Sequence, residues 1–292
     1  MPLAKEIRGL YNKRKKKGWF AMRAVVLMDN VSNNPALTAQ WGLSIYIEYQ
    51  GRRYLLDAGA GPEFAENAKV LGIDLSQVDC GILSHAHHDH ADGMDTFFQE
   101  NAGAPFYLRE PSGENCYGCK DDFLEYIGIK KGLLETYQNR ICRTGDKTEL
   151  APGVYLLGHT TPELDCCGQM HQQFLKIADQ FMYDDFRHEQ SLIFDTDQGL
   201  VIFNSCCHAG ADVVIQEAQA AFPGRKVHAI VGGFHLFAMP VDQVRTFAHR
   251  LEETGVEHVV TGHCTGQDAF EILRETLGNR VRQMEVGLEM EF

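Results

Sequence analysis

Five side chains able to bind metal ions, His85, His87, His88, Asp89 and His90, fall within the stretch Ser84-His85-Ala86-His87-His88-Asp89-His90-Ala91-Asp92-Gly93-Met94. The apolar run Cys80-Gly81-Ile82-Leu83 leads into them, so a strand is expected to deliver ligands into a loop. In extended backbone residues i and i+2 point the same way, which lets His85 and His87 close on one cation. Asp89 and His90 follow where the chain turns and can face a second. Imidazole with carboxylate suits zinc, with two ions expected, and iron or manganese suit the same ligands. The competing reading is a solvated histidine-rich loop; the strand before it and the Asp-Gly turn after it argue against that.

The spacing His-x-His-x-Asp-His at a strand end resembles the signature of the metallo-β-lactamase superfamily. Tyr54-Leu55-Leu56-Asp57-Ala58-Gly59 is similar to that superfamily's early strand ending in Asp-x-Gly, whose Asp braces the metal loop from behind. Gly232-Gly233-Phe234-His235-Leu236 and Thr261-Gly262-His263-Cys264-Thr265-Gly266 resemble one branch, metal-dependent hydrolases that include an archaeal dihydropterin synthase of methanopterin assembly. The resemblance covers residues 22 to 292. It implies an α/β protein, a four-layer αβ/βα sandwich with metals at one edge between the sheets. One departure stands out: the branch commonly carries Glu-His before its Gly-Leu-Ser, where this chain has Gln40-Trp41-Gly42-Leu43-Ser44.

The same resemblance implies ligands from the second half. The apolar strand Leu200-Val201-Ile202-Phe203 runs into Asn204-Ser205-Cys206-Cys207-His208, and a Cys-x-His pair is normal there in this branch, so His208 is the expected ligand. Cys206 occupies the slot where most of the superfamily has a bridging Asp, either as a thiolate ligand or as a packed thiol. His263 corresponds to the last histidine ligand. His159 stands where many members carry another ligand and competes with His208. His235, at a strand end, is read with Asp89 as a catalytic group, a general acid, or as a ligand or substrate contact, or else as a buried, hydrogen-bonded histidine. His171 and His188 lie in polar, irregular segments and are read as bystanders.

The elements needed to position these groups are legible from periodicity. Strands are expected at 22–28, 42–48 and 53–57, then a helix over 63–71, the strand into Ser84, a helix over 94–100 and a strand over 104–108. Residues 109–150 break the rhythm as a loop-rich excursion, which the resemblance implies is a lid; with no linker between the halves, a single domain spanning 1–292 is expected. Beyond it come strands at 154–158, 190–195, 200–204, 227–232 and 256–261 and helices at 209–221, 241–254 and 267–277. The turn-rich Asp29-Asn30-Val31-Ser32-Asn33-Asn34-Pro35 could reach the mouth of the site. Cys116 and Cys119, with Cys166 and Cys167, are either a structural zinc set or free thiols in the lid.

Composition bounds the rest. A chain of 292 residues, 44% hydrophobic, has ample core for one large domain. Its net charge of −13 leaves no basic surplus to neutralise phosphates, so no nucleic-acid partner is expected. No apolar run is long enough to span a membrane, and the basic Lys13-Arg14-Lys15-Lys16-Lys17 reads as a solvated lead-in helix rather than a signal peptide. Nine cysteines without a secretory signal fit a reducing, cytoplasmic compartment. A bound zinc would lower the pKa of its water from near 16 towards roughly 7. His87 in the second motif position, where oxygen-reducing diiron relatives have Glu, points the same way. The expected function is therefore a metal-dependent hydrolase of a small phosphoester, lactone, thioester or amide. The alternatives are a pterin-diphosphate-dependent arylamine transferase and a metal-bearing ligand sensor.

Overall fold

The computed structural model describes residues 22–292, so the lead-in helix expected over residues 13–17 lies outside the described residues. In chain order the strands are β1 (Arg23–Met28), β2 (Ser44–Tyr49), β3 (Arg52–Leu56), β4 (Cys80–Ile82), β5 (Phe106–Arg109), β6 (Cys116–Lys120), β7 (Phe123–Tyr126), β8 (Ile141–Thr144) and β9 (Lys147–Ala151). They continue as β10 (Val154–Gly158), β11 (Gln173–Ile177), β12 (Gln180–Tyr183), β13 (Gln190–Thr196), β14 (Gly199–Phe203), β15 (Val227–Gly232), β16 (His258–Thr261), β17 (Val281–Gln283) and β18 (Glu289–Glu291).

These strands build two seven-stranded sheets, in the orders β18-β1-β2-β3-β4-β5-β8 and β17-β16-β15-β14-β13-β10-β9, and a four-stranded one, β12-β11-β6-β7. Alternation along the strands explains how the large sheets stack. Ala24, Val26, Ile45, Ile47 and Leu56 point inward and meet Leu192, Phe194, Val201, Phe203 and Val231 of the second sheet. The intervening Val25, Leu27, Tyr46 and Leu55 face outward onto Phe64, Ala65 and Ala68 of the helix Glu63–Val70. On the far side, Ile202 and Ile230 lie under the helices Ala211–Ala221, Val241–Glu253 and Gln267–Leu277. Strands covered on both faces need apolar residues at successive positions, which is why they read as continuous hydrophobic runs. The order helix, sheet, sheet, helix is the expected four-layer sandwich.

Pairing direction places the functional loops. β3, β4, β5 and β8 are mutually parallel, as are β14, β15, β16 and β17. The loops after β4, β14, β15 and β16 therefore leave from carboxyl ends, where open α/β sheets gather their ligand-binding residues. Those loops begin at Leu83, Asn204, Gly233 and Gly262, one for each motif singled out above.

The excursion at 109–150 divides differently from the sequence reading. β8 joins the first large sheet and β9 the second, while β6 and β7 pair with β11 and β12 from residues 173–183 to form the small sheet. Cys116 and Cys119 sit three apart on β6, hence on opposite faces, and cannot converge on one ion from that strand. All nine cysteines are free thiols. No helix among the described residues is long and apolar enough to cross a membrane.

Gly42 ties this scaffold to the metal loop. Its φ is +142°, and an added Cβ would lie 2.6 Å from the carbonyl oxygen of Asp89. Leu43 N donates to that same oxygen at 3.3 Å. Gly42→Ala must therefore push the Asp89 turn away, and it is expected to lower stability by about 2 kcal/mol or more in denaturant unfolding. An unchanged midpoint would show that the turn has room to give.

Candidate metal centre

Asp57, at the end of β3, organises the metal loop from below. Fully buried and at φ 55°, it accepts from Ser84 N (2.7 Å), Ser84 Oγ (2.6 Å) and His90 Nδ1 (2.8 Å). Ser84 spends its hydroxyl proton on Asp57, so its oxygen can only accept from His85 Nδ1, 2.8 Å away. Both contacts put the imidazole proton on Nδ1 and leave the Nε2 lone pairs of His85 and His90 facing inward. Asn30 does the same for His263: its Oδ1 lies 3.1 Å from His263 Nδ1, while its Nδ2 donates to the His263 carbonyl oxygen at 3.1 Å. Asp29 accepts from His263 N at 2.9 Å. The turn-rich segment after β1 thus does reach the site.

Two groups of donors result. His85, His87 and His208 each bring a ring nitrogen into a set whose members all lie within 4.8 Å of one another. Nε2 of His85, Nε2 of His87 and both nitrogens of His208 are buried with no hydrogen-bond partner among the described residues. Beside them, Asp89 Oδ2 stands 3.5 Å from His90 Nε2 and 3.4 Å from His263 Nε2. An unpaired buried imidazole nitrogen costs about as much as a lost hydrogen bond, and several converging on one point is the pattern of a cation site. The donor set fits zinc.

Electrostatics agree with ligand chemistry. Burial drives His87 down to about 3, and burial together with neighbouring imidazoles holds His85 and His208 well below their usual value, so these rings keep free lone pairs. Burial also acts on His90, but Asp89 and Asp57 outweigh it and raise His90 to about 10. Two carboxylates against one imidazole leave the second group wanting positive charge. Burial would raise Asp89, yet His90 and His263 hold its carboxyl well below the usual range.

The remaining candidates separate cleanly. Cys206 Sγ lies 3.3 Å from His90 Nε2 and 3.5 Å from Cys264 Sγ, so it does occupy the space between the two groups. Burial keeps its thiol well above its usual pKa. His159 does not reach the centre. Its Nδ1 meets Glu217 Oε2 at 2.8 Å and its Nε2 meets Glu189 Oε2 at 2.6 Å, leaving no lone pair for a metal. It acts at one remove instead, because Glu189 Oε1 accepts from His208 N at 3.2 Å.

His159 also makes a pH prediction. Burial lowers its pKa, but Glu189 and Glu217 raise it from 6.5 to about 9. A folded-state pKa above the unfolded one adds stability that is complete below about pH 6.5 and lost as pH rises through 9, on the order of 3 kcal/mol. His159→Gln is expected to abolish that pH dependence in urea titrations at pH 6 and 9 while leaving metal content unchanged.

Two histidines read as bystanders prove to be part of the site. His188 is buried; its Nδ1 accepts from Ala86 N at 3.1 Å and its Nε2 meets Asp184 Oδ2 at 2.9 Å, pinning the backbone between His85 and His87. Gln190 adds to this, donating from its backbone to Ser84 O (2.7 Å) and from Nε2 to Leu83 O (2.8 Å). His171, at the end of the helix Asp165–His171, packs its ring 4.4 Å from that of His235, which in turn lies 4.4 Å from His208. His235 Nδ1 is buried and without a partner among the described residues. Asp57, Cys207, His235 and His263 all adopt left-handed backbone, φ 55°, 46°, 50° and 47°, and such strain gathers where a site dictates geometry.

Fold and donor set together define a metal-site protein of the αβ/βα sandwich class. Residues 42–162 match the family described as "Metallo-beta-lactamase superfamily", and the architecture is the metallo-β-lactamase fold. The chain is 26% identical over 276 residues to a 7,8-dihydropterin-6-methyl-4-(β-D-ribofuranosyl)-aminobenzene-5'-phosphate synthase of Methanocaldococcus jannaschii, covering 90% of this chain and 94% of that one. Among solved structures it is similar to Tm1679, described as a metal-dependent hydrolase of the β-lactamase superfamily, at 26% identity and a TM-score of 0.78 over 93% of this chain and 99% of that one. Zn(2+)-bound PqqB from Methylobacterium extorquens shares the fold at 12% identity and a TM-score of 0.54, over 92% of this chain and 100% of that one.

Proposed function

We propose that this chain is a metal-dependent hydrolase of a small molecule carrying a phosphoester, lactone, thioester or amide. Two zinc ions would be held, one by His85, His87 and His208 and one by Asp89, His90 and His263. The observation that carries this reading is the convergence of unpaired, buried imidazole nitrogens of His85, His87 and His208, while Nδ1 of His85 and of His90 is held from behind by Ser84 and Asp57. When bound, the ions supply Lewis acidity, polarising the bond under attack and acidifying water towards neutral pH.

The chain's own residues supply the rest. Asp89, ionised between His90 and His263, accepts a hydrogen bond from the attacking water and fixes its direction. His235, its ring 4.4 Å from that of His208, holds the leaving group through Nδ1. Asp57, Ser84 and Asn30 keep the ligand rings in their tautomers, and His188 and Gln190 hold the loop backbone.

The test is turnover of bis(p-nitrophenyl) phosphate, p-nitrophenyl acetate, a homoserine lactone and an acyl thioester before and after chelation. Hydrolysis of at least one class, lost with chelator and restored by zinc, is the expected result. No turnover of any class with a full metal complement would overturn the reading. The resemblance to the dihydropterin synthase favours a second reading, transfer of a pterin from its diphosphate to an arylamine. Pyrophosphate release that depends on the arylamine would replace the first reading with this one. Tight ligand binding without either reaction would instead identify a sensor.

A further inference from the structure

Trp41 and Phe237 are large aromatic side chains left 45% and 53% exposed in a protein that buries Tyr54, Phe64, Phe97 and Phe106 almost completely. Their positions are not scattered. The Trp41 ring lies 5.0 Å from that of His263 and 5.5 Å from that of Phe237, edge to face at 78°, and Phe237 lies 5.3 Å from His235. An unbroken aromatic row thus spans the mouth of the site between His263 and His235.

Both rings are carried by backbone that the centre itself fixes. Asn30 Oδ1, which faces His263, also accepts from Gly42 N at 3.3 Å, next to Trp41. Phe237 N donates to Cys264 O at 3.1 Å, and Gly266 leaves room for the Phe237 Cβ, to which a side chain there would approach within 3.1 Å. Gln40 Oε1 is buried and without a partner among the described residues, so a ligand bearing an N–H donor would satisfy it.

We propose that Trp41 and Phe237, set at 78° to each other, form an L-shaped platform for a planar heteroaromatic ring of the substrate, which lies face to face on one side chain and edge-on against the other. The ring's π-face covers apolar surface otherwise left in water, and its reacting substituent is directed between His263 and His235. The inference rests on the reading of the centre as a catalytic metal site and adds what that reading leaves open, the part of the substrate that is recognised rather than cleaved.

The experiment is calorimetric titration of the metal-loaded full chain with pterin and with quinazolin-4-one, on wild type and on Trp41→Leu, Phe237→Leu and Trp41→Phe, with metal content and melting temperature measured on each. Stacking on one aromatic side chain changes affinity by roughly 5- to 100-fold. Trp41→Leu and Phe237→Leu are expected to weaken both probes by about 10-fold or more, and Trp41→Phe by about 3-fold or less, at unchanged metal content. Wild type that binds neither probe at millimolar concentration, leucine variants that bind as wild type does, or a Trp41→Phe variant as weak as Trp41→Leu would overturn the platform. Trp41-dependent binding to a protein that takes up no metal would uphold the platform and sink the metal reading, so the two failures are told apart.

Discussion

His208→Ala is expected to lower bound zinc from about two equivalents per chain to one or fewer and to reduce kcat/KM by at least about 100-fold. His208 is the only member of the first group that comes from the second half of the chain, so its loss leaves His85 and His87 as a two-nitrogen site. The variant should fold. Both ring nitrogens of His208 lack partners among the described residues, so truncation strands no donor, and Phe186, stacked on the ring at 4.4 Å, loses only a packing neighbour. Elemental analysis of protein purified without added metal reads the outcome. Two equivalents retained in the variant would remove His208 from the ligand set and shift attention to Cys206.

Asp57→Asn is expected to be the most damaging change that leaves every ligand in place. The carboxylate accepts three hydrogen bonds in a fully buried position, from Ser84 N, Ser84 Oγ and His90 Nδ1. An amide keeps one acceptor oxygen and turns an N–H pair towards donors that have nowhere else to go. Each stranded donor costs about 1–3 kcal/mol, so destabilisation on the order of 3–5 kcal/mol is expected in chemical unfolding. Freeing His90 from its tautomer should weaken metal binding a further 10- to 100-fold or so. Asparagine is the informative replacement because it tolerates the φ of 55° that Asp57 adopts, so backbone strain is the same in both proteins. A variant as stable as wild type would mean that the loop is held chiefly by His188 and Gln190.

The contrast between Asp57 and His159 shows what the sequence can and cannot convey. Asp57 lies in a strand ending read directly from Tyr54-Leu55-Leu56-Asp57, and its partners belong to the nearest ligand loop. The motif at 84–90 was equally legible, because a strand followed by closely spaced ligands needs only local geometry. His159 sits at a strand end just as His208 and His263 do, and nothing nearby marks it as different. Its partners Glu189 and Glu217 stand 30 and 58 residues away, and only the fold decides that they take both ring nitrogens. His188 failed to stand out for the same reason: its partner is the amide of Ala86, 102 residues earlier. The hydrophobic periodicity that revealed the two large sheets was weak in the small one, where β7 and β12 are largely exposed.

That small sheet draws β6 and β7 from one stretch of chain and β11 and β12 from another, with β8, β9 and β10 of the large sheets lying between them in sequence. It is therefore not a cassette. Grafting residues 109–150 from a relative would transplant half a sheet and leave Phe174 and Leu175 of β11 facing foreign partners in place of Tyr117 and Cys116. Exchange of this sheet between members built this way calls for two coordinated replacements, and drift in either hairpin is constrained by its complement in the other.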